Sequence, residues 1–228
     1  MSSGTVYESV ETTYPARTVV CFSSMFTGAA PEAHGIRSNL VLKLGLKVES
    51  IFDVLRRHGK VRRLVGIAHL IAAFGDDVAS VAHNDKIDQN LIAAARRELT
   101  EHDLELLILQ LLAVDQNGHT RGTYYPEYVE RIEVTDGLIE EFMRWYEERG
   151  YLRNAAVILM ADHGHLSEGE RFVPFAMWGS GVAEGRTISE PRSILDLAPT
   201  ISYLLGVEPP KGSTGRVLTE ALDPRKRP

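Results

Sequence analysis

The chain has 228 residues, of which 44% are hydrophobic and 25% are charged, and a chain of this length and composition buries a core without disulfide support. Its formal net charge of −6 argues against nucleic acid or an anionic membrane as a partner. Cys21 is the single cysteine, which excludes an internal disulfide framework and a cysteine-based zinc site. With neither an apolar stretch of about 18 residues nor a signal peptide at its start, the sequence predicts a cytoplasmic protein.

A helix bounded by Thr18 and Gly28 is predicted near the amino terminus. Residues 4–14, which contain β-branched and aromatic side chains in loose alternation, favour an extended segment ahead of it. Thr18 suits a helix N-cap, and Gly28 suits the residue that ends the helix. A hydroxyl group at this position would lie beside unpaired backbone N–H groups and the positive end of the helix dipole. Local sequence leaves two interpretations of Thr18 open, a capping residue or a residue that acts on an anion.

Predicted strands alternate with predicted helices along the rest of the chain, without internal repeats or low-complexity linkers. This alternation predicts an α/β fold in a single domain, residues 1–228, with a mostly parallel central sheet sandwiched between helices. Pro174 is expected at the start of its strand or on a sheet edge. The predicted helices cover residues 50–58, 86–102, 127–148 and 193–205, and the predicted strands cover residues 61–68, 104–114, 156–161 and 172–178.

Two of the apolar strands end in an acid that is followed by a histidine. One strand leads into Asp115 and His119, and the other leads directly into Asp162 and His163. We expect both strands to be fully buried and their carboxyl ends to lie where ligands bind in open α/β sheets. Carboxylate oxygen and imidazole nitrogen suit Zn²⁺, Mn²⁺ or Fe²⁺, and the absence of thiolates argues against a purely structural zinc site. The alternative is that each strand simply runs into a polar turn.

Several short sequence blocks occur in a fixed order between about residues 12 and 218. In this order they resemble the alkaline phosphatase superfamily, on the branch of type I phosphodiesterases and nucleotide pyrophosphatases. The resemblance implies an alkaline phosphatase-like fold. The blocks are Tyr14-Pro-Ala-Arg-Thr18, Thr27-Gly-Ala-Ala-Pro-Glu-Ala-His-Gly-Ile36, Val114-Asp-Gln-Asn-Gly-His119, Ala161-Asp-His-Gly164, Val173-Pro-Phe175 leading to Gly179-Ser-Gly-Val182, and Asp196-Leu-Ala-Pro-Thr200 leading to Leu204-Leu-Gly206.

The resemblance implies a metal-dependent hydrolase of phosphate mono- or diesters, with a small phosphate ester as its substrate. Thr18 takes the nucleophile position and would form a phospho-enzyme intermediate. Asp162 and His163 would bind the metal ion that activates it. Asp115 and His119 would bind a second ion, which polarises the phosphoryl oxygen and later presents the attacking water. Zn²⁺ is the first choice for both ions, and Mn²⁺ or Fe²⁺ would also suit these ligands.

The amino-terminal segment departs from the family pattern. The family carries a metal-binding aspartate at the end of a strand well before the nucleophile. Here 17 residues precede Thr18 and none of them is aspartate, the acids among them being Glu8 and Glu11. We therefore expect an amino-terminally short domain. The missing ligand could come from a chain that starts upstream, from the amino-terminal segment itself, or from another subunit, which leaves a homo-oligomer open.

Three further positions differ from the family pattern or carry an uncertain role. The family binds the second metal ion with a further histidine. His165 and Glu168 are the candidate replacements in this chain, and His165 is the ligand that we predict. The family often places an amide that contacts the phosphate just after the nucleophile, where this chain has Val20 and Cys21, so that donor is expected to be missing. His34 lies in a family motif and is expected to hold a loop rather than a metal ion.

Two alternatives to the hydrolase remain. The first is a non-catalytic or weakly active relative that serves as a binding or assembly module, and the two missing ligands favour it. The second is a transferase similar to phosphoglycerate mutase, which shares the metal-ligand types. That branch generally has a serine nucleophile and a large inserted domain, for which the chain has no room.

Overall fold

In the part of the chain that the structure describes, the strands form two β-sheets, one of five strands and one of three strands. The computed structural model describes residues 4–40, 45–67, 74, 79–82, 87–165 and 171–225. Its contacts divide the chain into a first unit, Met1–His58 with Tyr151–Pro228, and a second unit, Gly59–Gly150. The single domain expected from the sequence stays a prediction.

The two units share one alternating order of strands and helices. Short 3₁₀ turns at Tyr151–Arg153, Ile194–Asp196 and Thr219–Ala221 join some of them. In chain order the strands are β1 Gly4–Glu11, β2 Arg62–Gly66, β3 Ala79–Ala82, β4 Leu106–Leu109, β5 Ala156–Met160, β6 Phe172–Gly179, β7 Arg186–Ile188 and β8 Arg192–Ser193. The α-helices are α1 Thr18–Thr27, α2 Pro31–His34, α3 Ile51–Arg57, α4 Asp88–Glu101, α5 Ala113–Arg121, α6 Pro126–Glu148 and α7 Leu197–Leu204.

Strand β1 lies inside the sheet of the first unit. The strand order is β5-β6-β1-β7, and β8 also pairs with β1. β1 runs antiparallel to β6 and parallel to β7 and β8. Tyr7 and Val10 are buried, and the hydroxyl of the buried Thr5 donates to the carbonyl oxygen of Ala183 at 2.8 Å. The extended segment predicted ahead of the first helix is confirmed, and its apolar side chains explain its interior place in the sheet.

Pro174 occupies an interior strand, where a residue without a backbone N–H weakens the hydrogen-bond ladder. Strand β6 pairs with β5 on one side and with β1 on the other. The pairing with β1 shifts register between Tyr7 and Val10, which face Phe175 and Val173. Pro174 therefore lies opposite a bulge, the one interior setting that suits proline. The expected position at a strand start or sheet edge is wrong.

Strand β5, which leads into Asp162 and His163, is less covered than its apolar sequence predicts. Within the described residues it pairs with β6, and that pairing is antiparallel. Most of its side chains are half-buried, and Leu159 is 41% exposed. The expectation of a fully buried strand is wrong here, because an apolar run indicates a preference for burial and does not identify what covers it.

Helix α1 begins at Thr18 and is buried along its length. Every residue after Thr18 as far as Thr27 is buried. The ring of Phe26 packs edge-on against the ring of Phe52 on α3, with 4.7 Å between the ring centroids. Gly28 ends the helix with a φ of 65°, as the sequence predicts. The burial fixes the direction of the helix, and with it the position of its first turn.

Helix starts elsewhere in the first unit are fixed by side-chain caps. The hydroxyl oxygen of Ser50 accepts the backbone N–H of Asp53 at 3.3 Å, and the Asp53 carboxylate accepts the backbone N–H of Ser50 at 2.8 Å. This reciprocal pair is a capping box. Ser193 and Asp196 form a second such box at the turn that precedes α7. Both serines are helix starts that the sequence predicts.

The second unit corrects the prediction for residues 104–114. Strand β4 covers only Leu106–Leu109, and the chain then enters helix α5 at Ala113. A carboxylate oxygen of Asp88, a residue that is 2% exposed, accepts the backbone N–H groups of Leu112 and Ala113 at 2.7 and 3.2 Å. It caps two of the free N–H groups that a helix start leaves. Asp115 and His119 therefore lie on a helix, because a distant acid supplies the cap that the local sequence lacks.

The α/β fold predicted from the sequence is confirmed. The second unit has the strand order β3-β2-β4, with both pairings parallel. Among the described strands, four pairings are parallel and two are antiparallel. None of the helices that the structure describes combines the length and apolar character needed to cross a membrane.

His34 holds the loop after α2 and is fully buried. Its Nδ1 accepts the backbone N–H of Ile36 at 3.1 Å, so its Nε2–H donates to the hydroxyl oxygen of Ser24 on α1 at 2.9 Å. These two bonds require the neutral ring, and burial lowers the pKa of His34 to about 4. The structure thus gives His34 the loop-holding role that the sequence predicts.

Replacement of Gly28 by alanine should lower the free energy of unfolding by about 3 kcal/mol. About 1 kcal/mol comes from the left-handed backbone conformation and about 2 kcal/mol from steric overlap of the new Cβ. A left-handed residue with a Cβ costs about 1 kcal/mol, and the new Cβ would lie 2.2 Å from Oγ of Ser213 and 3.1 Å from the carbonyl oxygen of Leu195. Gly206 is the matched control, because its φ is 66° and nothing lies within 4 Å of a Cβ built there. Urea unfolding should show Gly206→Ala losing about 1 kcal/mol. Equal losses in the two variants would contradict the packing described for Gly28.

His34 should make the protein less stable as the pH falls from about 6.5 to about 4. The pKa of His34 is about 4 in the folded chain against an ordinary 6.5. Between these two pH values His34 is protonated in the unfolded chain and neutral in the folded chain, which favours unfolding. Between about pH 7.5 and pH 5 this should remove about 2 kcal/mol of unfolding free energy. His34→Asn keeps an acceptor for the Ile36 N–H and cannot titrate. Urea titrations at both pH values should show a smaller decrease in this variant, and an equal decrease would exclude His34 as the cause.

Candidate active site

Thr18 is the first helical residue of α1 and does not cap the helix. Arg17 takes the N-cap position with an extended backbone, φ −137° and ψ 140°. The prediction that Thr18 is the N-cap is therefore wrong by one residue. Because its hydroxyl is not used for capping, it is available to a neighbouring side chain, and Oγ1 lies 3.2 Å from Nε2 of His163. The local sequence left the role of Thr18 open, and this contact favours the residue that acts on an anion.

His163 presents the lone pair of Nε2 to Thr18. Its Nδ1 lies 2.9 Å from the carbonyl oxygen of Gly164, which can only accept, so Nδ1 carries the proton in the neutral ring. The unprotonated Nε2 then lies 3.2 Å from Oγ1 of Thr18 and 3.3 Å from a carboxylate oxygen of Asp162. The His163 side chain is only 9% exposed. Burial and the Gly164 bond together hold one tautomer and one ring orientation.

The three side chains of Thr18, Asp162 and His163 fit a metal ion. In a tetrahedral zinc site with bonds of about 2.0–2.1 Å, ligand atoms lie about 3.3–3.4 Å apart. The distances from Nε2 of His163 to the hydroxyl oxygen and to the carboxylate oxygen, 3.2 and 3.3 Å, are close to that edge length. One imidazole nitrogen, one carboxylate and one hydroxyl form a donor set that suits Zn²⁺, Mn²⁺ or Fe²⁺.

Asn39 brings a side-chain amide to the start of α1, where Val20 and Cys21 offer none. Its side-chain oxygen accepts the backbone N–H of Val19, the residue after Thr18, at 2.9 Å. Because an N–H can only donate, this bond identifies the amide oxygen and leaves the NH₂ group of Asn39 as a donor. Asn39 itself is exposed. This amide comes from the loop after α2, and the residues next to Thr18 in the chain give no indication of it.

A sequence signal for this amide exists, although it is indirect. A helix start leaves four backbone N–H groups without partners, and serine, threonine, aspartate or asparagine usually satisfies one of them. Arg17 cannot do so with its side chain, since a guanidinium group has no acceptor. An asparagine shortly after the predicted helix is therefore a candidate cap from outside the helix.

The two amino-terminal acids do not replace the missing aspartate. Glu8 accepts a hydrogen bond from the hydroxyl of Ser189 at 2.6 Å, and Glu11 forms an ion pair with Arg171. These contacts lie at the surface. The amino-terminal segment thus fills an interior place in the sheet without bringing a carboxylate to Thr18.

Asp115 and His119 lie side by side within the second unit. They lie four residues apart on α5, so their side chains share one face of the helix. Nε2 of His119 lies 3.3 Å from a carboxylate oxygen of Asp115, and the two side chains are 68% and 43% exposed. The pair offers one nitrogen and one oxygen to an ion. His165 lies in the first unit and is half-buried, and Glu168 lies outside the described residues.

Cys21 lies one turn after Thr18 on the same helix and is not an alternative nucleophile. The side chain is fully buried. Burial raises the pKa of the Cys21 thiol, against hydrogen bonds from Thr12 and Thr13 that act in the opposite direction. A buried thiol that stays protonated is chemically inert.

Two protein-family models match parts of the chain. A family model described as Sulfatase matches residues 71–207, and one described as Type I phosphodiesterase / nucleotide pyrophosphatase matches residues 1–55. Arylsulfatase K of Danio rerio is 33% identical over 110 residues, which are 43% of this chain and 20% of that protein. The chain thus spans about one fifth of the length of this curated relative.

Solved structures show the same fold at low identity. The structure of murine ectonucleotide pyrophosphatase / phosphodiesterase 5 superposes with a TM-score of 0.81 at 12% identity, covering 97% of this chain and 92% of that one. A threonine-to-alanine variant of the murine protein, described as inactive and solved with AMP, superposes with a TM-score of 0.77 at 12% identity, covering 90% and 88%. The sulfatase model covers more than half of the chain. The chain therefore belongs to the sulfatase family within the alkaline phosphatase superfamily, and its first 55 residues match the model of type I phosphodiesterases and nucleotide pyrophosphatases.

Proposed function

We propose that this chain is a metal-dependent hydrolase of phosphate mono- or diesters and that Thr18 is its nucleophile. The observation that carries the proposal is the 3.2 Å contact between Oγ1 of Thr18 and Nε2 of His163, with a carboxylate oxygen of Asp162 3.3 Å from the same nitrogen. An unassisted threonine hydroxyl is too weak an acid to attack at neutral pH, so a nucleophile of this type needs an activating neighbour. Thr18 has one.

The residues around Thr18 can each act on the reacting group. His163, with its proton on Nδ1, offers the lone pair of Nε2 beside the Thr18 hydroxyl, so an ion held by Asp162 and His163 would lie next to that hydroxyl and lower its pKa. The first-turn N–H groups of α1 and the positive end of its dipole stabilise the anionic phosphoryl group. The NH₂ group of Asn39 can donate to a phosphoryl oxygen, because its bond to Val19 fixes the amide at the helix start. Attack by Thr18 breaks the bond from phosphorus to the leaving alcohol, while the Thr18 proton passes to water and the alcohol takes one up. It leaves phospho-threonine from a monoester, or a threonine-linked phosphodiester from a diester, and water then cleaves the bond to Thr18.

Two divalent metal ions belong to the proposal. Asp162 and His163 would hold one ion, Asp115 and His119 would hold the other, and His165 is the proposed additional ligand. Zn²⁺ is the ion that we propose, and Mn²⁺ and Fe²⁺ suit the same donors. Such ions lower the pKa of a bound hydroxyl or water and neutralise the oxygens of a phosphoryl group. The spacing of the donor atoms around His163 supports this assignment for the first ion.

The comparisons support a small phosphate ester as the substrate. The murine relative is a nucleotide pyrophosphatase and phosphodiesterase by name, and its inactive form differs by a threonine-to-alanine change and holds AMP. The match of residues 1–55 to the model of that family covers Thr18 and Asn39. These likenesses favour a nucleophilic threonine and a phosphodiester or phosphomonoester of small size.

The rival function is a non-catalytic binding module that retains the fold. The observation that favours it is the engagement of Glu8 and Glu11 at the surface, which leaves neither of these carboxylates for the first metal ion. A binding module has no need of a free hydroxyl at Thr18, and a hydrolase does. The two functions therefore predict different effects of changes at this residue.

Replacement of Thr18 should separate these functions. In the presence of Zn²⁺ or Mn²⁺, hydrolysis of nitrophenyl phosphate or its bis-nitrophenyl diester should decrease by about 1,000-fold or more in Thr18→Ala, because the group that forms the covalent bond is lost. Thr18→Ser keeps a hydroxyl and should retain measurable turnover. The measurement is the steady-state rate after removal and readdition of the metal ion.

Removal of the metal ion provides a second test, whose outcome can exclude the hydrolase. Chelation should abolish turnover, and Asp162→Asn or Asp115→Asn should each reduce the bound metal by one ion per chain, measured by elemental analysis after dialysis. If no divalent ion restores turnover in the unmodified protein and Thr18→Ala behaves like it in every assay, the hydrolase is excluded and the binding module is favoured.

A further inference from the structure

Thr12 lies one residue beyond the end of β1 and contacts the loop that carries the proposed metal ligands. Its hydroxyl oxygen is 2.6 Å from the carbonyl oxygen of Asp162. A carbonyl oxygen can only accept, so Thr12 donates its single hydroxyl hydrogen to Asp162. This short bond joins two residues that are 150 positions apart in the chain.

The sheet places this bond between the two segments that build the site. Strands β1 and β5 each pair with β6, which lies between them. The backbone N–H of Thr12 donates to the carbonyl oxygen of Arg171 at 2.8 Å, and that of Ala161 donates to the carbonyl oxygen of Pro174 at 3.3 Å. Thr12 and Asp162 are thus held at the same end of the sheet, on opposite sides of β6. The Thr12 side chain connects them directly across that strand.

Thr12 also touches the helix that begins with Thr18. Its hydroxyl oxygen lies 3.5 Å from Sγ of Cys21, one turn into α1. The single Thr12 hydrogen lies mainly toward Asp162, so its contact with Sγ is the weaker of the two, and the Cys21 S–H donates to the carbonyl oxygen of Thr13 at 3.9 Å. Burial raises the pKa of the Cys21 thiol, which keeps this proton in place. One hydroxyl group therefore contacts both the ligand loop and the nucleophile helix.

We propose that Thr12 is a positioning residue that holds Asp162 and His163 at the distance from Thr18 that metal binding and attack require. The proposal rests on the proposed function. Groups that orient metal ligands commonly change metal affinity or activity by about 10- to 100-fold when they are lost. The tolerance is narrow, because a misplacement of about 1 Å can cost about 100-fold in rate. Thr12 touches neither substrate nor metal and acts through the Asp162 main chain.

The test compares variants of Thr12 with a matched control elsewhere. Thr12→Val keeps the shape and removes the hydroxyl, whereas Thr12→Ser keeps the hydroxyl. Thr100→Val removes an equivalent hydrogen bond, from Thr100 to the carbonyl oxygen of Arg96 at 2.8 Å, in the second unit. Each variant is assayed for Zn²⁺ affinity by competition with a chelating dye, for kcat and KM, and, in the metal-free protein, for amide hydrogen exchange of the peptide that spans residues 161–165.

Thr12→Val should weaken binding of the Zn²⁺ assigned to Asp162 and His163 by about 10- to 100-fold and lower kcat by a similar factor, with KM changed by less than about 3-fold. Exchange of the 161–165 peptide should become faster in this variant. Thr12→Ser and Thr100→Val should stay within about 3-fold of the unmodified protein in every assay. Rescue by serine distinguishes the hydroxyl from the bulk of the side chain.

Two outcomes would overturn the role of Thr12. One is a folded Thr12→Val protein with unchanged Zn²⁺ affinity, kcat and peptide exchange, and the other is equal loss in Thr12→Ser. Failure of the proposed function looks different, because turnover is then absent from the unmodified protein. The Zn²⁺ affinity and the exchange rate still report on Thr12 in that case, and weaker binding with faster exchange in Thr12→Val would support its positioning role alone.

Discussion

The candidate site depends on one contact, between the hydroxyl of Thr18 and Nε2 of His163. It exists because the chain starts α1 at Thr18 with Arg17 as the cap residue, so that the hydroxyl is not consumed by the helix. The burial of α1 fixes the hydroxyl, and the bond from His163 to the carbonyl oxygen of Gly164 fixes the imidazole. Two elements from distant parts of the chain therefore meet with defined donor and acceptor roles.

The first sheet positions the two segments that carry Thr18 and His163. Strand β1 lies inside the sheet, and β6 separates it from β5, so the segments that follow β1 and β5 leave the sheet at the same end. Backbone hydrogen bonds to the chain at the start of β6 hold Thr12 and Ala161 in place. The Thr12 hydroxyl adds a direct hydrogen bond to Asp162. Asn39 completes the surroundings from a third segment by capping the start of α1. Preorganised groups of this kind cost no rearrangement when charge develops on a reacting phosphoryl group.

Much of the site was predictable because its signals are local. An apolar strand that leads into Asp162-His163, a threonine at the start of a buried helix and Gly28 at its end can each be recognised within a few residues. The features that were missed depend on residues far apart in the chain. Asp88 caps the helix that carries Asp115, Asn39 caps the helix of Thr18, and the cover of β5 is set by its neighbours. A linear pattern contains no information about which distant side chain satisfies a free N–H group.

The proposed attack of Thr18 on phosphorus would leave a phosphoryl group bound to Thr18, and the most direct measurement is a search for this covalent product. The Zn²⁺-loaded protein is mixed with nitrophenyl phosphate, quenched in acid and digested, and the peptide that contains Thr18 is weighed by mass spectrometry beside the same peptide from Thr18→Ala. We predict one added phosphoryl group on Thr18 in the unmodified protein and none in the variant. Turnover with an unmodified Thr18 peptide in every quenched sample would contradict it.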